Sequence, residues 1–235
     1  MNLAEMKERV YKANLELVER GLVIYTWGNV SMIDREAGII VIKPRGIEYE
    51  DLVADDMSVT DLEGNPIGEG LLPSVDLDIH IAIYNAYPEI GGITHTHSTY
   101  ATAWAGARRD VPTFGTTHAD HFYGDIPCTR ILTVEEVAGE YEKVTGEVIV
   151  ETFQERNLDP MQMFGVLAAG HGPFTWGATP EASVENSVIL EELSRMALLT
   201  EQINPVAPKL ESYVLDKHFL RKHGANSYFY QSKEK

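Results

Sequence analysis

Five side chains have types and spacings that could do chemistry together. They are His95 and His97 in "GGITHTHSTY", His171 in "AAGHGPF", Asp76 in "PSVDLDIH" and Asp120 in "GTTHADHFYG". If His95 and His97 lie on a strand, their i, i+2 spacing puts them on one face, about 7 Å apart at the backbone. Two imidazoles so placed can converge on one ion. Zinc takes histidine nitrogens at about 2.0–2.1 Å, and a catalytic zinc keeps three protein ligands and one open position. His171 is the candidate third ligand. It follows an apolar run, and Gly170 and Gly172 beside it permit a tight turn and close backbone approach. The competing explanation is a set of hydrogen-bonded core histidines, since His80, His118, His121, His218 and His223 are present as well. Spacing leaves both open. Asp76 stands near a helix start, where a carboxylate is favoured whether or not it serves a metal. Asp120, between His118 and His121, reads equally as a proton-transfer group or as part of a surface loop.

The elements that must position these residues follow from periodicity. Leu3, Met6, Val10, Ala13 and Leu17 predict a helix over residues 3–20, stopped at Gly21. "YTWGNVSMID" and "GIIVIKP", joined by a turn at Glu36–Gly38, predict a hairpin. "MSVTDLEGNPIGEG" predicts another strand and a turn. "PSVDLDIHIAIYNAY" changes to helical spacing, with Ile79, Ile83 and Ala86 in step. "GGITHTHS" predicts a short buried strand, and Ser98 can cap the helix "TYATAWAGA". Thr133 and Glu136 form a capping-box signature for a helix through "TVEEVAGEYEKV". "FGVLAAGHG" predicts a strand ending at His171. Thr179 and Pro180 open a long helix to about Ile203, and "YVLDKHFLRKH" is a final helix ending at Gly224. Interspersed strands and helices predict a mixed sheet with helices on its faces, in one domain spanning 1–235.

Bulk composition narrows the function. With 19 Lys and Arg against 36 Asp and Glu, the net charge is −17, so phosphate backbones repel the chain and nucleic-acid binding is not expected. Cys128 is the single cysteine, so no internal disulfide forms, and a reduced cytoplasmic setting is expected. "MNLAEMKERV" has no apolar core of signal-peptide type, and the apolar runs are too short to span a bilayer.

Taken together, "LVIYTWGNVSMIDRE", "VIKPRGIEY", "ADDM", "GGITHTHS", "GTTHADHFYG", "IPCTR", "VIVETF", "GVLAAGHGPFTWG" and "DKHFLRKHGA" resemble the class II aldolase and epimerase family. Within it they resemble the 4-epimerase branch that acts on L-ribulose 5-phosphate. The resemblance covers nearly the whole chain. It implies an α/β domain with a central, mainly antiparallel sheet flanked by helices, assembled as a C4 homotetramer with sites between neighbours. It implies that His95, His97 and His171 bind a metal, usually zinc, with manganese or cobalt able to substitute. Asp76 is implied as the metal-associated acid. Asp120 is implied as an acid/base delivered from the adjacent subunit. Gly28, Asn29, Lys43, Arg45, Gly46, Ser74 and Val75 fall on the substrate and phosphate pocket.

The implied substrate is a ketose or ketose phosphate, and the implied reaction suits these residue types. The C4 carbon of a ketose carries no acidic proton, so inversion needs retro-aldol cleavage of C3–C4, rotation of the aldehyde and re-addition. A Lewis acid stabilises the enediolate, and two acid/base groups serve the two epimers. The family's second acid/base is a tyrosine. In gap-free register that position is Phe229, which cannot transfer a proton, with Tyr230 one residue on as the candidate. Arg45 and Val75 stand where the family has serines. A class II aldolase, or a 4-epimerase of a different ketose, phosphorylated or not, therefore stays open.

Overall fold

In the computed structural model, residues 1–224, 227 and 228 are described. The elements in chain order are α1 (Leu3–Glu19), β1 (Asn29–Asp34), β2 (Ile39–Ile42), β3 (Ser58–Asp61), α2 (Leu77–Ala86), β4 (Gly92–His95) and α3 (Thr99–Ala107). There follow α4 (Thr116–Ala119), α5 (Val134–Ala138), α6 (Tyr141–Glu155), β5 (Gly165–Ala168), β6 (Gly172–Gly177), α7 (Pro180–Ile203) and α8 (Ser212–His223). The six strands form one sheet in the order β3-β2-β1-β4-β6-β5. All five strand pairings are antiparallel, so the mixed sheet expected from patterning gives way to the antiparallel one that the resemblance implied.

Local chemistry explains most of these elements. In α1, Asn2 and Glu5 close a capping box, and Met6, Val10, Ala13 and Leu17 turn one stripe into the core. Thr179 caps α7 and Pro180 occupies its first turn. Alternation along the strands then separates the two faces of the sheet. Val30 packs with Ala13 and Leu17 of α1 and Val184 of α7, and the Asn14 amide bonds both backbone groups of Val30. Thr94 meets Ser183 of α7 on that same face. On the opposite face, Ser31, Ile93 and Trp176 form one cross-strand row, and Asn29, His95 and Phe174 form the next. Trp176 packs against Phe153 of α6, while Ser31 and Phe174 meet His80 of α2. The second row carries the site.

Four expectations are corrected. The helix opening at Thr133 keeps its capping box but breaks at Gly139, leaving the five-residue α5 and a separate α6. "YTWG" lies outside β1, since Tyr25 and Gly28 have φ of 52° and 78° and cannot continue an extended strand. Ser98 precedes α3 but makes no capping bond, and its buried hydroxyl has no partner among the described residues. "GPFTWG", to which the patterning assigned no element, is β6 and lies between β4 and β5. Pro173 lacks an N–H, but its carbonyl accepts from Thr96 N at 3.4 Å and from the His95 side chain at 3.0 Å.

Candidate active site

His95 closes β4 and His97 stands two residues beyond it. The i, i+2 relation holds past the strand end: the two Nε2 atoms are 3.0 Å apart. The His95 ring stacks on Phe174, its neighbour in the cross-strand row, at 4.2 Å. Its Nδ1 lies 3.0 Å from the Pro173 carbonyl. A carbonyl only accepts, so Nδ1 carries the proton and the Nε2 lone pair faces His97. His171 enters from the β5–β6 turn, where Gly170 has φ 74°. Its ring centroid lies 4.7 Å from that of His95 and 5.2 Å from that of His97.

One ligand atom from each histidine falls within 4.8 Å of the others. Four-coordinate nitrogen ligands around zinc stand about 3.3 Å apart, so small ring movements close this cluster on an ion. Two further observations favour a metal over a packed histidine core. The buried Nδ1 of His171 has no hydrogen-bond partner among the described residues. Gly172 keeps the floor of the cluster open, because a Cβ there would stand 2.7 Å from the Thr96 carbonyl and 3.4 Å from the His97 ring. Burial also pushes His95 down to about 3 and lowers His97 and His171, which keeps all three neutral with lone pairs available. The residues fit a divalent ion.

Asp76 precedes α2 but does not cap it. Its Oδ2 accepts from Asn29 Nδ2 at 2.8 Å and from Ser74 Oγ at 3.3 Å. Burial raises its carboxyl, but the surrounding imidazole dipoles and the Asn29 bond outweigh that and hold it below its ordinary value. Asn29, expected in the substrate pocket, lines the adjoining cavity; its amide also braces Asp76, and its Oδ1 is buried without a partner among the described residues.

A cavity of about 280 Å³ adjoins this cluster. Gly28, Asn29, Lys43, Arg45, Gly46, Ser74, Val75 and Asp76 all line it with the three histidines. Gly28 is obligatory there: its φ is 78°, and a Cβ would stand 2.8 Å from the His95 carbonyl. Lys43 is buried, donates to the Ile47 carbonyl at 3.0 Å and stands 4.6 Å from the Tyr49 ring centroid. Burial lowers its pKa. Arg45 is exposed, and Val75 is 55% exposed. The cavity is therefore lined both by the three imidazoles and by two cationic side chains, Lys43 and Arg45.

Sequence reasoning missed three contributors. Trp27 lines the cavity with its ring 5.8 Å from that of His97. Tyr141, at the start of α6, stands 6.4 Å from the His171 ring. The Pro173 carbonyl sets the His95 tautomer. The aromatic "TWG" beside Asn29 was a signal for the first; a backbone oxygen has none.

Asp120 is not among the residues lining the cavity. It ends α4 and is gripped by α8. Arg221 Nη2 lies 2.9 Å from each carboxylate oxygen, and His218 Nδ1 lies 3.1 Å from one of them. Burial raises this carboxyl, but His218, Arg221 and Lys222 together leave it below its ordinary value. Tyr230 and Phe229 lie outside the described residues.

Known proteins bear out the resemblance. An L-ribulose-5-phosphate 4-epimerase UlaF of Salmonella paratyphi C (strain RKS4594) is 49% identical over 229 residues, which is 97% of this chain and 100% of that protein. The protein of the same name from Salmonella typhi matches equally, at 49% over 229 residues. Among solved structures, an L-fuculose 1-phosphate aldolase superposes with TM-score 0.77 at 23% identity, covering 93% of this chain and 96% of its own. Another, from Glaciozyma antarctica PI12, gives TM-score 0.75 at 22% identity over 95% of this chain and 84% of its own. These two establish the shared fold. The sequence model for the class II aldolase and adducin N-terminal domain matches residues 8–198, and the chain belongs to that family.

Proposed function

We propose that the chain is a divalent-metal-dependent 4-epimerase of L-ribulose 5-phosphate or a closely related ketose, working by retro-aldol cleavage and re-addition. The observation that carries this is the meeting of His95, His97 and His171 in a cavity that Asp76, Lys43 and Arg45 also line. Relatives that are 49% identical over their whole length and bear that enzyme name support it.

His95, His97 and His171 would hold the ion, zinc first and manganese or cobalt in its place. When bound, it supplies Lewis acidity that stabilises the oxyanion developing as C3–C4 breaks. The chain's own residues do the rest. Lys43 and Arg45 take the anionic end of the substrate, and the neutral histidines face its carbonyl end. Asn29 and Ser74 hold Asp76 in place. Asp120 takes the C4 hydroxyl proton, reaching the site from a neighbouring copy in a homotetramer, which agrees with its position on α4 away from its own chain's cavity. After the aldehyde turns its other face and re-adds, a second acid returns a proton; Tyr230 is the candidate. The chain would act as one domain over 1–235, in the cytoplasm. No helix among the described residues is long and apolar enough to cross a membrane.

The test is a substrate panel with the metal-loaded chain, followed by NMR. L-ribulose 5-phosphate should interconvert with its C4 epimer in strict mass balance. If neither it nor a set of free ketoses is epimerised at full metal loading, the proposal fails. Accumulation of glycolaldehyde phosphate would identify an aldolase instead.

A further inference from the structure

Asp76, His80 and Tyr84 are spaced four apart, so they lie on one face at the start and middle of α2. Asn29 and Ser31 share the face of β1 that looks onto them. The two rows are zipped by hydrogen bonds. Asn29 holds Asp76 at 2.8 Å, while Ser31 Oγ lies 2.7 Å from His80 Nδ1 and 2.8 Å from the Tyr84 hydroxyl. Ser31 and His80 are wholly buried. Two side-chain atoms in this zipper have no partner among the described residues, Asn29 Oδ1 and His80 Nε2, and of these only His80 Nε2 can carry a proton.

Proton counting assigns that atom. If Tyr84 donates to Ser31 and Ser31 donates to His80 Nδ1, every hydroxyl proton is used and His80 carries its own proton on Nε2. The reverse order leaves the Tyr84 proton without an acceptor among the described residues. We propose that His80 is a positioning residue for Asp76: Ser31 and Tyr84 fix its ring as the Nε2–H tautomer, and the field of that buried N–H orients the carboxylate beside the three histidines.

Packing agrees. Phe174 meets His80 edge-on at 6.1 Å and stacks on His95 at 4.2 Å, so the ring is confined on its other side by the residue that supports a ligand. Burial pushes His80 down to about 4, so it remains neutral, and it stands about one helical turn from Asp76 on the same face of α2. A histidine that merely fills core would need neither that tautomer nor that place on the helix. The inference rests on the proposed function, with Asp76 as the metal-associated acid that the resemblance implies.

The test is a cobalt(II) titration of the purified full chain, followed by its visible absorption bands, for His80→Phe, His80→Gln, Ser31→Ala, Asp76→Asn and the Asp76→Asn/His80→Phe pair. Loss of a partner outside the ligand shell typically weakens metal binding about 10–100-fold. His80→Phe and Ser31→Ala should show a loss in that range with shifted bands, and His80→Gln should restore most of it through its amide N–H. The pair should bind no worse than Asp76→Asn alone. Wild-type affinity and bands in Ser31→Ala, or additive losses in the pair, would overturn the proposal; Ser31→Ala decides if His80→Phe does not fold. If Asp76→Asn itself binds cobalt as wild type does, the assignment of Asp76 in the proposed function has failed instead.

Discussion

Asn29 Nδ2 lies 2.8 Å from Asp76 Oδ2, a contact that ties the first residue of β1 to the residue just before α2. The same Asn29 is the cross-strand partner of His95. One amide thus fixes the acid relative to the histidine cluster. Asn29→Ala removes the brace while leaving all three histidines in place. Affinity for zinc, measured against a competing chelator, should fall about 10-fold or more. Unchanged affinity would show that Asp76 is held well enough without it.

Gly172 separates the metal assignment from general stability. Gly172→Ala places a methyl 2.7 Å from the Thr96 carbonyl and against the His97 ring, with no flexible side chain able to yield. Overpacking of this kind costs about 1–3 kcal/mol. Thermal melting should drop in the metal-free protein, and the gain in melting temperature on adding zinc should shrink. A variant stabilised by zinc as much as the wild type would mean that the ligands are set elsewhere.

Arg45 is expected to read the anionic end of the substrate. A hydrogen bond to a charged group contributes about 1.5–3 kcal/mol, so Arg45→Ser should lower kcat/KM for a phosphorylated ketose about 10–100-fold. The same change should leave kcat/KM for the unphosphorylated ketose nearly untouched. Equal losses on both substrates would show that Arg45 shapes the cavity mouth rather than the charge recognition.

His118 lies away from the metal ligands and predicts a pH effect on folding. Burial pushes it down to about 4 from an ordinary 6.5, while its Nε2 holds the Gly124 carbonyl at 2.8 Å. The unfolded chain therefore binds a proton near pH 6.5 that the folded chain refuses until about pH 4. Its contribution is full above pH 6.5 and is lost progressively as the pH falls towards 4. Denaturant unfolding should show stability declining across that window, and His118→Gln should flatten the decline. An unchanged slope in the variant would assign the loss to other groups.

Local patterning was enough for much of the scaffold. The stripe Met6, Val10, Ala13 and Leu17, the caps at Thr133 and Thr179, and the i, i+2 pair His95 and His97 are relations between near neighbours, set by helix and strand periods. The whole-chain resemblance added His171 as third ligand and the antiparallel sheet. β6 stayed illegible because Gly172, Pro173 and Gly177 leave only Phe174, Thr175 and Trp176 as a strand-favouring run, too short to stand out. Gly172 and Pro173 are held in place by neighbours on either side, a tertiary effect.

What the sequence by itself determined is the set of residue types, their faces and the family's chemistry. Which atom each of them serves was decided only by tertiary structure. Asn29 and Asp76 are 47 residues apart, and His95 and Pro173 are 78 apart. The resemblance put Asn29 in the pocket, but only the register of β1 against β4 and the seating of α2 turned its amide to a carboxylate. The physical reason is that a polar side chain in a dry interior takes the partner that packing brings within about 3 Å, and packing is a property of the whole chain.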